Sequence, residues 1–208
     1  MAGETITKGE RTRAEIVATA YRLFLQHGYH GTSMRQIAGQ AGIALSGIYN
    51  HFASKEDIFL AVLLAYHPYH EILPALKNAQ GNTVEEFVHH AATQMLAALG
   101  KRPDFLKLMF IELVEFQAQH LPELLASLLP QFLDLVERFR SLPGNLRPIP
   151  LPIMLRAFVG LFFSYYITEL MLDDRVPPGF RTNALDYFVD IYLHGILAQD
   201  EPSAKERE

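Results

Sequence analysis

A chain of 208 residues is long enough for one large domain or for a small head on a larger body, and half of its residues are apolar, which supplies a sizeable core. It has no cysteine, so disulfides and thiolate metal sites are excluded. The net charge of −5 speaks against a general nucleic-acid binder, but residues 1–55 carry six Lys/Arg against three Glu, a balance of +3 that leaves −8 for the rest.

Nearly every segment reads as helix, punctuated by Gly, Pro and Asn, with scarce β signals and no internal repeat. Met1–Glu10 is polar and does not read as a signal peptide. The first predicted helix runs from about Gly9 to His27, with Ile16, Ala20, Leu23 and Phe24 on one face and Gly28 as its stop. The second starts with Thr32 as N-cap and ends near Gln40; the third covers about Leu45–Asn50. Ser54 caps a fourth, with Asp57 completing a capping box. That helix should run through Ile58, Val62 and Tyr66 toward Leu76, kinked or split at Pro68 and Pro74.

Asn82 or Thr83 opens the fifth, with Glu86 completing a Thr-x-x-Glu box and Gly100 ending it. Pro103 fits the first turn of a sixth through about Gln119, and Pro122 opens a seventh through Arg140 that Pro130 can interrupt. Ser141–Pro150 is a proline-rich loop, and Pro152 opens a long eighth helix to about Leu172. After the break at Pro177-Pro178-Gly179 the ninth spans about Phe180–Ala198. Ala157–Thr168, the longest run in the later chain free of Asp, Glu, Lys, Arg and His, is too short to span a bilayer. The expectation is a soluble, cytoplasmic, all-α protein of about nine helices.

Thr32–Phe52 is the segment that leaves fewest readings open. Ile37 and Ala38 give its first helix an apolar stripe, and Ile43, Ile48 and Phe52 give the second a buried side. Gly42 falls where a tight turn needs a residue that accepts φ > 0 or close packing, and two helices joined by so short a turn must cross steeply, as a helix-turn-helix. The second helix then shows a mostly uncharged face of Leu45, Ser46, Gly47, Tyr49, Asn50 and His51, suited to a major groove.

Thr32, Ile37-Ala38, Ala41-Gly42-Ile43, Tyr49, His51-Phe52 and Ser54-Lys55 resemble the N-terminal signature of the tetracycline-repressor (TetR) family of transcriptional regulators. The resemblance runs from about Arg13 to Leu60 and implies a three-helix DNA-binding head over residues 1–56. It further implies a ligand-binding and dimerisation body over 57–200, ahead of a charged tail at 201–208.

On the residues themselves, Thr32 and Ser33 stand at a helix start, where free N–H groups favour a phosphate, and Lys55 follows the Ser54 cap, where its ammonium could hold a second. The resemblance implies that Tyr49 and His51 also contact the backbone, with Arg35, Leu45, Ser46, Gly47 and Asn50 nearer the bases. Arg35 suits guanine and Asn50 adenine. Each has a plainer alternative: Thr32 and Ser54 as caps alone, Tyr49 as a packed aromatic. Leu45 departs from the polar or basic residue common in the family, and either touches a thymine methyl or packs. Ala44 replaces a hydroxyl cap worth about 1 kcal/mol.

Both last predicted helices are apolar on more than one side: Ala184, Tyr187, Phe188 and Ile191 against Leu185, Val189, Tyr192 and Ile196 in the ninth. With Gly160 and Ser164 permitting close approach in the eighth, the two helices are expected to pair across a two-fold axis as a homodimer on a palindromic operator. A single monomeric core is the alternative. The resemblance implies an inducer pocket in the body. Candidate lining residues are Tyr66, His70, His89, Met95 and Met109 from its first half, then Phe110, Glu112 and Phe116, and later Phe158, Phe162 and Tyr166. Packing alone also accounts for each aromatic and Met, and Glu112 lies either on a solvated edge or buried with a partner. No third ligand is evident beside His67 and His70, and the adjacent His89 and His90 point about 100° apart on a helix, so no metal or cofactor is expected. No catalytic motif stands in the chain, so it is not expected to be an enzyme. An all-α small-molecule or lipid-binding protein is the rival, and it leaves Thr32–Lys55 unexplained.

Overall fold

The computed structural model describes residues 7–172 and 175–197; the tail at 201–208 and the expected end of the last helix at Ala198 lie outside them. Among the described residues there are ten α-helices and no strand. They are α1 (Lys8–His27), α2 (Met34–Gln40), α3 (Leu45–Ile48), α4 (Lys55–Tyr66) and α5 (Tyr69–Lys77), followed by α6 (Val84–Gly100) and α7 (Phe105–Glu115). The last three are α8 (Leu121–Arg140), α9 (Leu151–Met171) and α10 (Ala184–Ile196), with a 3-10 turn at Pro178–Phe180 before α10.

The all-α class is as expected, and the extra helix comes from Pro68. The residue before a proline is pushed out of the helical region, and His67 sits at φ −65°, ψ 134°, so α4 ends and α5 begins afresh. Pro74 is tolerated inside α5. Two other boundaries shift. α7 starts at Phe105 behind an Asp104 N-cap, so Pro103 lies outside it and not in its first turn; it stops at Glu115 and not near Gln119, because Gln117 and Ala118 take left-handed conformations (φ 52° and 65°). The last helix starts at Ala184, after a left-handed Asn183, and not at Phe180. Thr83 caps α6, but the Glu86 carboxylate accepts from Asn82 N–H, so the expected box is only half formed.

The chain forms two compact units, one of residues up to Pro68 with Arg102–Leu128, the other of Tyr69–Lys101 with Leu129 onward. In the first, Ile16, Leu23 and Phe24 of α1, Ile37 of α2, Ile48 of α3 and Phe59 of α4 share one buried core with Leu108 and Phe116. Phe59 is its hinge pin: its ring stacks on Phe116 (4.8 Å) and meets Phe24 edge-on (5.6 Å). Ser54 starts α4 with a full capping box, accepting from Asp57 N–H at 3.0 Å while Asp57 Oδ2 accepts from Ser54 N–H at 2.8 Å. Ser54→Ala should therefore lower stability by about 1 kcal/mol in urea unfolding, with unchanged helix content by circular dichroism.

In the second unit α9 supplies Met154, Phe158, Phe162 and Tyr166 to the core. Tyr192 of α10 meets Phe158 edge-on (5.5 Å) and donates its hydroxyl to Met154 O (2.9 Å), and Tyr166 donates to Leu99 O. Burial pushes the Tyr192 hydroxyl's pKa well above the usual tyrosine range. By length and composition alone α9 could cross a membrane (mean hydropathy 1.4 over its best window), because Arg156 and Glu169, which bound the uncharged run, lie inside the helix. Only 22% of that window is buried within the chain. Ile153, Val159, Leu170 and Met171 of α9 are exposed.

Candidate nucleic-acid interface

The α2–α3 pair is built as its pattern requires. Gly42 adopts φ 69°, and Ile43 N–H returns to Ala38 O at 3.0 Å, closing the turn between the helices. Ile37, Ala38, Ile48 and Phe52 are buried and fix the pair to α1 and α4. Opposite them Leu45, Ser46, Tyr49 and Asn50 are exposed, Tyr49 by 54%. Gly47 and His51 are half-buried, while Ser33 and Arg35 are exposed on the α2 side. Among the described residues nothing covers the outer face of α3. Helix α3 is a single turn, ending at Ile48 and not at Asn50, and Ala44 contributes no side-chain cap. Tyr49, Asn50 and His51 follow as tight turns, with Asn50 N–H to Gly47 O and His51 N–H to Ile48 O.

Thr32 is not the cap of α2. Ser33 is: its hydroxyl accepts from Gln36 N–H (3.3 Å) and donates to Gln36 Oε1 (2.8 Å). Thr32 is 1% exposed and donates its hydroxyl to Gly28 O (2.9 Å). Lys55 has partners within the chain that the sequence did not announce. Its ammonium donates to Tyr29 O and Thr32 O, each at 2.7 Å, and lies 4.0 Å over the Tyr29 ring. Desolvation lowers its pKa, opposed by the charge of Glu115. Glu115 in turn meets His30 at 2.6 Å.

The expected ligand-lining residues fall in both units. In the first, Tyr66 stacks on Tyr21 at 3.8 Å, Phe116 is part of the core, Met109 is half-buried, and Phe110 is 58% exposed on the outside of α7. Glu112 is wholly buried with a partner that sequence reasoning missed: Oε1 accepts from His120 N–H and Oε2 meets His120 Nδ1, both at 2.8 Å. Near His120, Gln119 Nε2 donates to Glu56 Oε1 at 2.6 Å. In the second unit His89 is exposed and pairs with Asp186, His70 is exposed against Tyr69, and Met95, Phe162 and Tyr166 are buried. Phe158 alone of the set lines the unit's apolar cavity of about 40 Å³, whose walls include Phe87, Ala91, Leu135, Phe139, Met154 and Tyr192. Among the described residues no cluster of three His, Asp or Glu side chains could hold a metal ion.

Residues 16–62 match the family described as bacterial regulatory proteins, tetR family. The chain belongs to the TetR family of transcriptional regulators. Over most of its length this TetR protein is similar to the uncharacterized HTH-type transcriptional regulator YvkB of Bacillus subtilis, with 24% identity over 90% of this chain and 98% of that one. A stronger but shorter likeness joins it to the HTH-type transcriptional repressor AcnR of Corynebacterium glutamicum, 38% identical over 26% of this chain and 29% of AcnR. That short match spans less than a third of AcnR. The fold is that of solved TetR-type structures such as NalD, the secondary repressor of the MexAB-OprM efflux pump in Pseudomonas aeruginosa (TM-score 0.61, 20% identity, 93% of this chain and 100% of that one). The described head thus carries the DNA-binding element of a TetR regulator, and the likeness to NalD is one of fold.

Proposed function

We propose that this TetR protein is a ligand-responsive repressor that binds a palindromic operator as a homodimer and releases it when a small apolar or aromatic inducer enters the body. The observation that carries the DNA half is the exposed, uncharged outer face of α3 above a wholly buried Ile48. Arg35, Leu45, Ser46, Gly47 and Asn50 would approach base edges, while Ser33, Tyr49 and His51 would hold the backbone. The dimer would form through α9 and α10, where Ile153, Val159, Tyr187 and Ile191 are exposed. Such a regulator works in the cytoplasm, where its DNA lies.

The inducer half rests on the cavity beside Phe158. At about 40 Å³ it is well short of a ligand pocket of about 300 Å³ or more, so the ligand-bound state would be the more open one. A ligand that favours that state over the DNA-competent one lowers DNA affinity by its differential affinity alone. The test is selection of duplexes from a random pool by the full chain. An enriched palindrome is expected, against which Arg35→Ala should cost about 1–3 kcal/mol and relax one base position. A pool that remains random after selection would leave the lipid-binding alternative standing.

A further inference from the structure

The cavity beside Phe158 is walled by residues of α5, α6, α8, α9 and α10, all of the second unit. Among the described residues that line it there is no Asp, Glu, Lys, Arg or His, and its side chains bring only two hetero atoms, the Met154 sulfur and the Tyr192 hydroxyl. The hydroxyl is donated to Met154 O at 2.9 Å, and burial keeps it protonated, so the wall is uncharged at ordinary pH. Asp134 and Arg138 flank wall residues in sequence but do not line the space. Asp134 pairs with Lys77 at 2.8 Å, and Arg138 donates to the carbonyls of Lys77 and Ala79.

Four rings border the cavity: Phe87, Phe139, Phe158 and Tyr192. Phe87 and Phe139 are tilted by 57° with centroids 5.9 Å apart, and Phe158 meets Tyr192 edge-on. Rings so tilted offer both edges and faces to the space between them, which suits a further ring. The wall is also unevenly closed. Phe87, Met154 and Phe158 are buried, whereas Val136, Phe139, Leu151 and Leu155 are half-buried. Those four stand on the last two turns of α8 and the first two of α9, which starts without a side-chain cap. At about 40 Å³ the space is far below the roughly 150 Å³ of an apolar cavity that takes benzene, so a ring must part this rim.

We propose that the cavity takes an un-ionised ligand that buries an aromatic ring among these four, and that it rejects carboxylates and amines of the same shape. An ion would give up its hydration with no opposite charge in the wall to replace it. A ring gains from its buried area and from edge-to-face contact. The inference rests on the inducer reading above and narrows it, and binding and DNA release are measured separately.

The full chain, with ¹³C-methyl methionine, is titrated with propylbenzene, 3-phenylpropionate and 2-phenylethylamine. The probes share a phenylethyl frame and end in a methyl, a carboxylate and an ammonium. Met154→Leu, a swap of like volume, assigns the Met154 signal, and calorimetry on the unaltered chain ranks the probes whether or not that variant folds. Propylbenzene should shift the Met154 methyl and show ring-to-methyl NOEs, with both ions about a hundredfold or more weaker. The proposal is overturned if either ion matches propylbenzene there, as an anion would if Arg138 swung toward it, or if no probe binds. The same probes are then added to the chain bound to its selected duplex. Propylbenzene that occupies the cavity and leaves the duplex bound would sink the inducer reading while this inference stands. An ion that frees the duplex where propylbenzene does not would do the reverse.

Discussion

A chain carrying Tyr187→Glu and Ile191→Glu is expected to remain folded, to sediment as a monomer, and to bind its selected duplex about a hundredfold or more weaker than the wild type. The two side chains are 64% and 61% exposed and one turn apart on α10, so the fold loses little by their removal. On α9 Ile153 and Val159 are also exposed, and a Cβ added at Gly160 would meet nothing within 4 Å, so the small residue there is not demanded by packing inside the chain. A helix apolar on its inner side (Val189, Tyr192, Ile196) and again on its outer side calls for a second partner, and a two-fold copy of the same surface is the simplest one. Four carboxylates brought together on such an interface would split it. Each freed head then holds one half-site, and the gain from tethering two is lost. Light scattering and salt-matched DNA titration check both parts; a dimer that survives both glutamates would place the interface elsewhere.

The head was legible because its determinants are local. The Gly42 turn and the Ser54–Asp57 box are set by residues within three or four positions, and both formed as read. The α3 end was read two residues too late, and the α2 cap was misplaced, Thr32 for Ser33, between adjacent hydroxyls. What decides it is Gln36, three residues after Ser33, whose side chain closes the box, while Thr32 turns back to Gly28. The end of α7 carried no warning, since its left-handed positions hold Gln117 and Ala118 and no glycine. The body was less legible because a lining residue is defined by what faces it across the fold. Phe110 and Phe116 share one helical pattern, yet one is exposed and the other lies against Phe59. Periodicity along the chain could not separate them.

Glu112 shows the same limit most sharply, and it carries the larger stability prediction. Its carboxyl is wholly buried, and both oxygens are satisfied by one residue, His120, through the backbone N–H and Nδ1. His120→Ala would strip the Nδ1 partner and the ring that packs edge-on against Phe116 at 4.8 Å. Removing one member of such a buried pair costs about 3–5 kcal/mol, chiefly by leaving the other without compensation. Glu112→Gln in the same chain should recover part of that loss, because an amide is cheaper to bury than a carboxyl deprived of its imidazole. The pair also holds the turn after α7, where left-handed Gln117 and Ala118 cost about 1 kcal/mol each. Urea unfolding of the wild type, both single variants and the double variant gives the coupling energy directly. A coupling near zero would mean that Glu112 finds other partners when His120 is gone. A large one would identify the pair as the fastening that keeps α7 in the same compact unit as the DNA-binding head.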